Sequence, residues 1–412
     1  MCIRDRSYRE KPVLSQDEAL QLHNQALVVD SQIPTITIGG LFTDNMRKRM
    51  DECFKDGMTK AEASAVLSGM IPGEIQNSTD AKAQYIELWE KSGVNIASGT
   101  YAGPAAGIDA AYDSSVKRMS DAISIINSIP EKLMLVTTSD HIREAHDTGK
   151  GGIIFDFQDT LSFGTDLNKV DFFYNLGLRV VQLTYNLRNL VGDGCTEIHK
   201  SGLSYFGREL VSKLNEKNMI VDVSHCSEQV GWDAMEISSS PVVVTHSTSA
   251  AIVKHDRGKS DKFARAIADN GGFLGVVVIP GFIQETSTAT LDDWALHIEH
   301  LVDVMGIDHV CIGTDKLGPG PGTETLFEYP KEMPGMRPGH FNWSGFREEL
   351  RVNDNGLGLP YPQYDDYKTV GYEQFTDWPN LTLKLAERGF NEEELRKILG
   401  LNYARVFKEV IG

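Results

Sequence analysis

Eight short runs of apolar, mostly β-branched residues, separated by helical patterns, constrain this sequence more than any other feature. The runs are ALVVDSQ, GVNIASGTY, GGIIFDFQ, LRVVQLTY, MIVDVSH, PVVVTHS, GFLGVVVI and HVCIGTD. Near-continuous apolar strands are buried on both faces, the pattern of parallel strands in strand–helix units. Amphipathic segments at Asp166–Leu176, Gly207–Lys217, Asp261–Asn270 and Leu291–Met305 supply covering helices. Eight such units in 412 residues predict an α/β fold, a closed (β/α)8 barrel of TIM type, over an open doubly wound sheet. A ninth run, LMLVTTSD, reads as peripheral. No GxGxxG fingerprint follows the first strand, which lowers the nucleotide-binding reading.

On this reading residues 1–25 are an N-terminal extension and 26–412 one barrel domain. The domain includes an insertion at 316–380, Gly- and Pro-rich and then aromatic: Phe341, Trp343, Phe346, Tyr361, Tyr364, Tyr367, Tyr372, Phe375 and Trp378. An insertion after the last strand emerges on the catalytic face and is predicted to cap the pocket. Its aromatics read either as anchors of an irregular loop or as a lid selecting a cationic amine. The net charge of −18 argues against a nucleic-acid partner, which needs clustered Lys and Arg. No apolar run approaches the ~20 residues of a membrane span. The five scattered cysteines read as reduced thiols. The start, MCIRDRSY, lacks the apolar stretch of a signal peptide, so the chain as written is expected in the cytoplasm. It also resembles the spurious prefix of a translated metagenomic contig, and a lost leader would make the protein periplasmic or exported.

In a barrel of this kind, chemistry sits where the strands end. The runs then deliver Asp30 and Gln32, Asp156 and Gln158, Tyr185, His225, His246 and Asp315 to one mouth. Pro34 follows Gln32 on the face set by the two-residue strand period. Either His alone reads as a strand cap donating to a backbone carbonyl. Two on successive strands, joined by an Asp from the last, suit a divalent ion, because imidazole and carboxylate are zinc ligands. His225, His246 and Asp315 are the candidate metal ligands, with Asp156 as a further oxygen donor. His23, His141, His146, His199, His297, His300, His309 and His340 fall in helical or loop contexts and read as solvated.

Several stretches, in order, resemble the renal (membrane) dipeptidase family, peptidase family M19 of the amidohydrolase superfamily. They are GLRVVQLTYNLRNLVGDGCTE, GLSYFGRELVSKLNEKNMIVDVSHCS, PVVVTHSTSAAIVKHDRGKSD, HVCIGTD and ILGLNYARVFKEV. The resemblance runs from Ala26 to the C-terminus. It implies a (β/α)8 barrel, often dimeric, whose two zinc ions hydrolyse dipeptides or similar small amides. It implies that His225 and His246 hold the second zinc, while Asp315 binds the first and handles the proton of the attacking water. Arg257 falls on the Arg that pairs with the substrate carboxylate, although Gly258 stands where members usually carry Asn. Tyr185 falls at a carbonyl-contacting position that is His in some members and Tyr in many bacterial ones.

The departures concentrate on the first ion. Where the family opens with Asp-Gly-His-Asn-Asp, this chain reads Asp30-Ser31-Gln32-Ile33-Pro34, and Gln158 stands at the bridging Glu. Pro34 has no side-chain donor, and neutral amides are poor zinc ligands. One zinc or similar divalent ion is therefore expected, not two. Asp315 would act as general base, with Arg257 and Tyr185 fixing substrate charge and the developing oxyanion. The leading expectation is a metal-dependent hydrolase of dipeptides, dipeptide-like compounds or N-acyl amino-acid amides, small molecules bearing a carboxylate. One alternative is a divergent enzyme, a lyase or small-amide hydrolase, acting on a small carboxylate or cationic substrate. The other is a catalytically silent binding protein.

Overall fold

The computed structural model describes residues 14–36, 41–58, 60–103, 105, 107–285, 288–316 and 368–412. The eight runs become eight parallel strands of one sheet. In hydrogen-bonded order they are β1 (Val29–Ile33), β2 (Ile96–Thr100), β4 (Gly151–Phe157), β5 (Leu178–Gln182), β6 (Ile220–Asp222), β7 (Val242–Ser249), β9 (Leu274–Val276) and β11 (Val310–Ile312). The ninth run is β3 (Leu133–Leu135), which pairs with β4 outside that sequence of neighbours. The two-residue strand β8 (Gly258–Lys259) pairs in parallel with the end of β7. Thr288–Thr290 (β10) and Lys368–Val370 (β12) form a separate parallel pair. The strands are sealed on both faces, as their composition requires; every residue of β4 and β5 is buried.

Several helices begin close behind the strand ends, fixed by a side-chain cap. Ser227 caps Glu228–Ile237, two residues after His225, by accepting from the Val230 N–H. Ser260 caps Asp261–Asp269 in the same way. Short connections of this kind leave little freedom to the residues between strand and helix. Among the described residues, no helix is long and apolar enough to cross a membrane.

The sheet rolls into a nearly closed barrel, and the seam between β1 and β11 is held by side chains. Ser31 Oγ donates to the carbonyls of Thr245 (2.6 Å) and Ile312 (3.0 Å). Asp30 accepts from Thr314 N (2.9 Å) and Thr314 Oγ1 (2.6 Å), and Asp315 N donates to Gln32 O (2.9 Å). Gly275 and Gly313 permit this closeness, since a Cβ at either would meet Thr245 O at 2.1 or 2.2 Å.

Two sequence expectations change here. His23 and His297 are buried, not solvated. His23 bonds Thr382 Oγ1 (2.8 Å) and Ser92 O (3.0 Å); His297 bonds Ser249 N (3.1 Å) and Ile283 O (3.2 Å). Of the insertion's aromatics, Phe341, Trp343, Phe346, Tyr361, Tyr364 and Tyr367 lie outside the described residues. Tyr372, Phe375 and Trp378 are core residues: Phe375 packs on Trp89, and Trp378 Nε1 donates to Asp30 Oδ2 (2.9 Å). Trp378 therefore has neither the exposure nor the orientation of a lid residue.

Candidate active site at the barrel mouth

The ends of β6 and β7 bring His225 and His246 together, with their Nε2 atoms 2.8 Å apart. Which nitrogens carry protons follows from their partners. His225 Nδ1 lies 2.6 Å from Asn186 Oδ1, a carbonyl oxygen that can only accept, so this nitrogen is the donor. His246 Nδ1 lies 2.8 Å from Thr245 Oγ1, whose own proton goes to Asp222 Oδ2 (2.7 Å). That hydroxyl therefore accepts from His246. Both Nε2 atoms are left as bare lone pairs aimed at each other, an arrangement that no hydrogen bond between neutral rings can satisfy. Protonation is disfavoured: burial first, and then the positive charge of Arg257, push both imidazoles well below their usual pKa. Two neutral, oriented lone pairs converging on one point fit a divalent cation.

The rest of the expected ligand set is placed differently. Among the described residues, no group of three or more His, Cys, Asp and Glu converges to hold a metal ion. Asp315 and Asp156 thus do not join the histidine pair in one cluster. Asp156 turns one oxygen to Ser98 Oγ (3.0 Å), while Oδ1 is buried without a hydrogen-bond partner. Burial pushes its carboxyl well up. Asp315 is half-buried, with φ of +53°. Burial raises its carboxyl to about 7, opposed by Arg257, reinforced by Asp30 and opposed again by the Gln158 amide. Gln158 Nε2 itself closes no hydrogen bond of ordinary geometry.

The first-strand residues serve the fold. Asp30 is fully buried and accepts from Thr314, Trp378 and Gln32 N (3.3 Å); burial still lifts it to about 6. Gln32 turns its Nε2 to Ile33 O (3.0 Å). A register shift between Asp30 and Ile33 interrupts the simple alternation that the sequence suggests. Pro34 offers its carbonyl to Arg118 Nη2 (3.3 Å). The Asp30 oxygens are taken up by Thr314, Trp378 and the Gln32 N–H, and Gln32, Pro34 and Gln158 supply no anionic donor, so these positions do not fit a metal ion.

Tyr185 stacks on the His225 ring, centroids 4.2 Å apart and planes 18° from parallel. Its backbone N donates to Asp159 Oδ2 (3.1 Å). Arg257 is fully buried; its Nη atoms donate to the carbonyls of Ser224 and His246, and its Nε has no partner. It braces the backbone behind both histidines.

Sequence reasoning missed Asn186, Thr245 and Asp222. Asn186 carried no signal in the sequence; its φ of +58°, a conformation that Asn tolerates, is visible only in the structure. Asp222 carried one, standing two before Ser224 on a strand that is otherwise apolar. It accepts from the N–H and hydroxyl groups of both Ser224 and Thr245.

Comparison with known proteins adds independent findings. A family described as "Membrane dipeptidase (Peptidase family M19)" matches residues 57–333. The dipeptidase tcpJ of Claviceps purpurea is 26% identical over 310 residues, 73% of this chain and 62% of its own length. An uncharacterized dipeptidase of Schizosaccharomyces pombe is 32% identical over 200 residues, 46% of this chain and 48% of its own length. The chain thus spans less than two thirds of either curated relative. The crystal structure of an amidohydrolase from Pseudomonas aeruginosa superposes with a TM-score of 0.67 at 26% identity, covering 97% of this chain and 100% of that one.

Proposed function

Because the chain belongs to the membrane dipeptidase family, peptidase family M19, we propose that it is a metal-dependent hydrolase. It cleaves the amide bond of a dipeptide or an N-acyl amino acid, using one divalent ion and not two. The observation that carries this reading is the histidine pair, whose facing Nε2 lone pairs are 2.8 Å apart with both Nδ1 protons engaged elsewhere.

His225 and His246 would hold the ion through Nε2. Bound there, a divalent ion supplies Lewis acidity towards a carbonyl and lowers the pKa of water. Asp315, with its carboxyl near 7, can take a proton from water and return it to the departing amine at neutral pH. Tyr185 keeps the His225 ring in plane by stacking. Arg257 fixes the carbonyl ends behind both rings and keeps the imidazoles neutral.

A second reading, different chemistry on a small acid, is favoured by the neutral groups at Gln32, Pro34 and Gln158. A panel of dipeptides and N-acyl amino acids, assayed with added zinc, manganese or cobalt, tests the first. Release of free amino acid, abolished by a chelator and restored by metal, is expected. Binding without turnover on the whole panel would sink the hydrolase reading.

A further inference from the structure

The two histidines of the mouth are held by groups of different character. Asn186 Oδ1, 2.6 Å from His225 Nδ1, is a carbonyl oxygen that can only accept, so it fixes the proton of that ring by itself. The partner of His246 Nδ1 is the Thr245 hydroxyl (2.8 Å), which can donate as readily as it accepts. Nothing within that contact sets its direction. The direction is set one bond further away, at Asp222, a buried carboxylate whose own hydrogen bonds go to neither ring.

Asp222 closes β6, and the backbone fixes its orientation. The N–H groups of Ser224 and Thr245 both donate to Oδ1 at 3.0 Å, and the Ser224 hydroxyl joins them at 2.5 Å. A backbone N–H cannot reverse its role, so Oδ1 is anchored as an acceptor. Oδ2 faces the Thr245 hydroxyl at 2.7 Å. An ionised carboxylate accepts and cannot donate, so it draws the Thr245 proton and turns the hydroxyl's lone pair towards His246. The imidazole proton then sits on Nδ1. The opposite setting would close the site. With its proton on Nε2, His246 would donate to the bare His225 Nε2 at 2.8 Å, and both lone pairs would be consumed between the rings.

We propose that Asp222 is a positioning residue that sets the His246 tautomer through Thr245 and so holds the histidine pair open for a divalent ion. The proposal rests on the hydrolase reading for the role of that ion, but its first readout, the tautomer, depends on neither metal nor turnover. Metal-free full chain carrying isotope-labelled histidine is read by proton–nitrogen NMR, with the His246 signals assigned by their loss in His246→Ala. Wild type is expected to hold the proton on Nδ1. Asp222→Asn offers an amide N–H to Thr245, reverses the hydroxyl and should move the proton to Nε2. Its affinity for zinc or cobalt, measured by competition with a chromogenic chelator, should fall by roughly 10- to 100-fold, the usual cost of losing an outer partner of a metal-bound histidine. Thr245→Ser keeps the hydroxyl and should keep the wild-type tautomer and affinity. Thr245→Val removes the acceptor and should behave like Asp222→Asn. An affinity loss with the proton still on Nδ1 indicates a merely structural role and overturns the proposal. So does wild-type affinity in Asp222→Asn, or a wild type with the proton on Nε2. If Asp222→Asn does not fold, the Thr245 variants decide: a proton that stays on Nδ1 in Thr245→Val overturns the relay. Turnover of alanyl-alanine is followed in parallel. A tautomer that follows these variants in a protein without turnover sinks the hydrolase reading and leaves Asp222 in place; turnover with an unshifted tautomer does the reverse.

Discussion

The two sides of the barrel mouth share a backbone plan and put their polar atoms to opposite uses. On β6 and β7, neighbours hold the unreactive end of each terminal side chain. Asn186 and Thr245 engage the Nδ1 atoms, and both Nε2 atoms turn inward without protons. On β1 the terminal side chains are consumed by structure. Asp30 is spent on Thr314 and Trp378, and Gln32 on its own neighbour's carbonyl. Polar residues at strand ends therefore do not make a site by their presence. What separates the two walls is whether surrounding donors and acceptors aim a lone pair or exhaust it.

The sharpest way to break that contrast is to remove the aimed groups. His225→Ala and His246→Ala should each lower hydrolysis by at least about 10³-fold and abolish stoichiometric metal binding, with little further loss in the double variant. Gln32→Ala should leave metal stoichiometry unchanged. Elemental analysis of the purified variants reads this directly. A bound ion surviving in either histidine variant, or lost in Gln32→Ala, would show that the first-strand wall takes part after all.

The walls should also respond to pH with opposite sign. Asp30 titrates at about 6 in the fold against an ordinary 3.8, so its favourable contribution is complete below about pH 4 and is lost as pH rises through 6. The gap corresponds to about 3 kcal/mol by pH 7. His225 and His246 lie well below 6.5, so what they contribute is present above 6.5 and is lost as pH falls. Denaturant unfolding of the metal-free protein between pH 4 and 7 isolates the acid side. Wild type should lose about 3 kcal/mol relative to Asp30→Asn across that range. A difference that stays constant with pH would mean that Asp30 does not carry this linkage.

The barrel was legible because its strands are apolar on both faces, and all eight runs appear as strands in sequence order. The histidine pair was legible because two neighbouring strands end in SH and TH. Its tautomers were not, since Asn186 and Thr245 gain meaning only once β5, β6 and β7 lie side by side. His23 and His297 were misplaced by attention to residue type over period. His23 shares a helical face with Ala19 and Leu22, and His297 sits among Trp294, Ile298 and Leu301, all buried. Trp378 was hidden by distance, 348 positions from the carboxylate it holds.

Trp378 offers the mildest test of the contrast. Trp378→Phe keeps an aromatic ring in the core but deletes the N–H that meets Asp30 Oδ2, leaving Thr314 and Gln32 as donors to that carboxylate. Loss of one buried hydrogen bond to a charged acceptor should cost about 2 kcal/mol of unfolding free energy. The missing donor should also raise the pKa of Asp30 further, because Trp378 is among the groups that hold it down. If the β1 wall serves structure alone, metal occupancy and turnover per folded molecule stay at wild-type values while the melting temperature falls. If turnover falls in folded protein, Asp30 transmits its position to Asp315 through Thr314 and the Gln32 carbonyl, which accepts the Asp315 N–H. The seam would then belong to the site, and the division between an aimed wall and an exhausted one would need redrawing at Asp315.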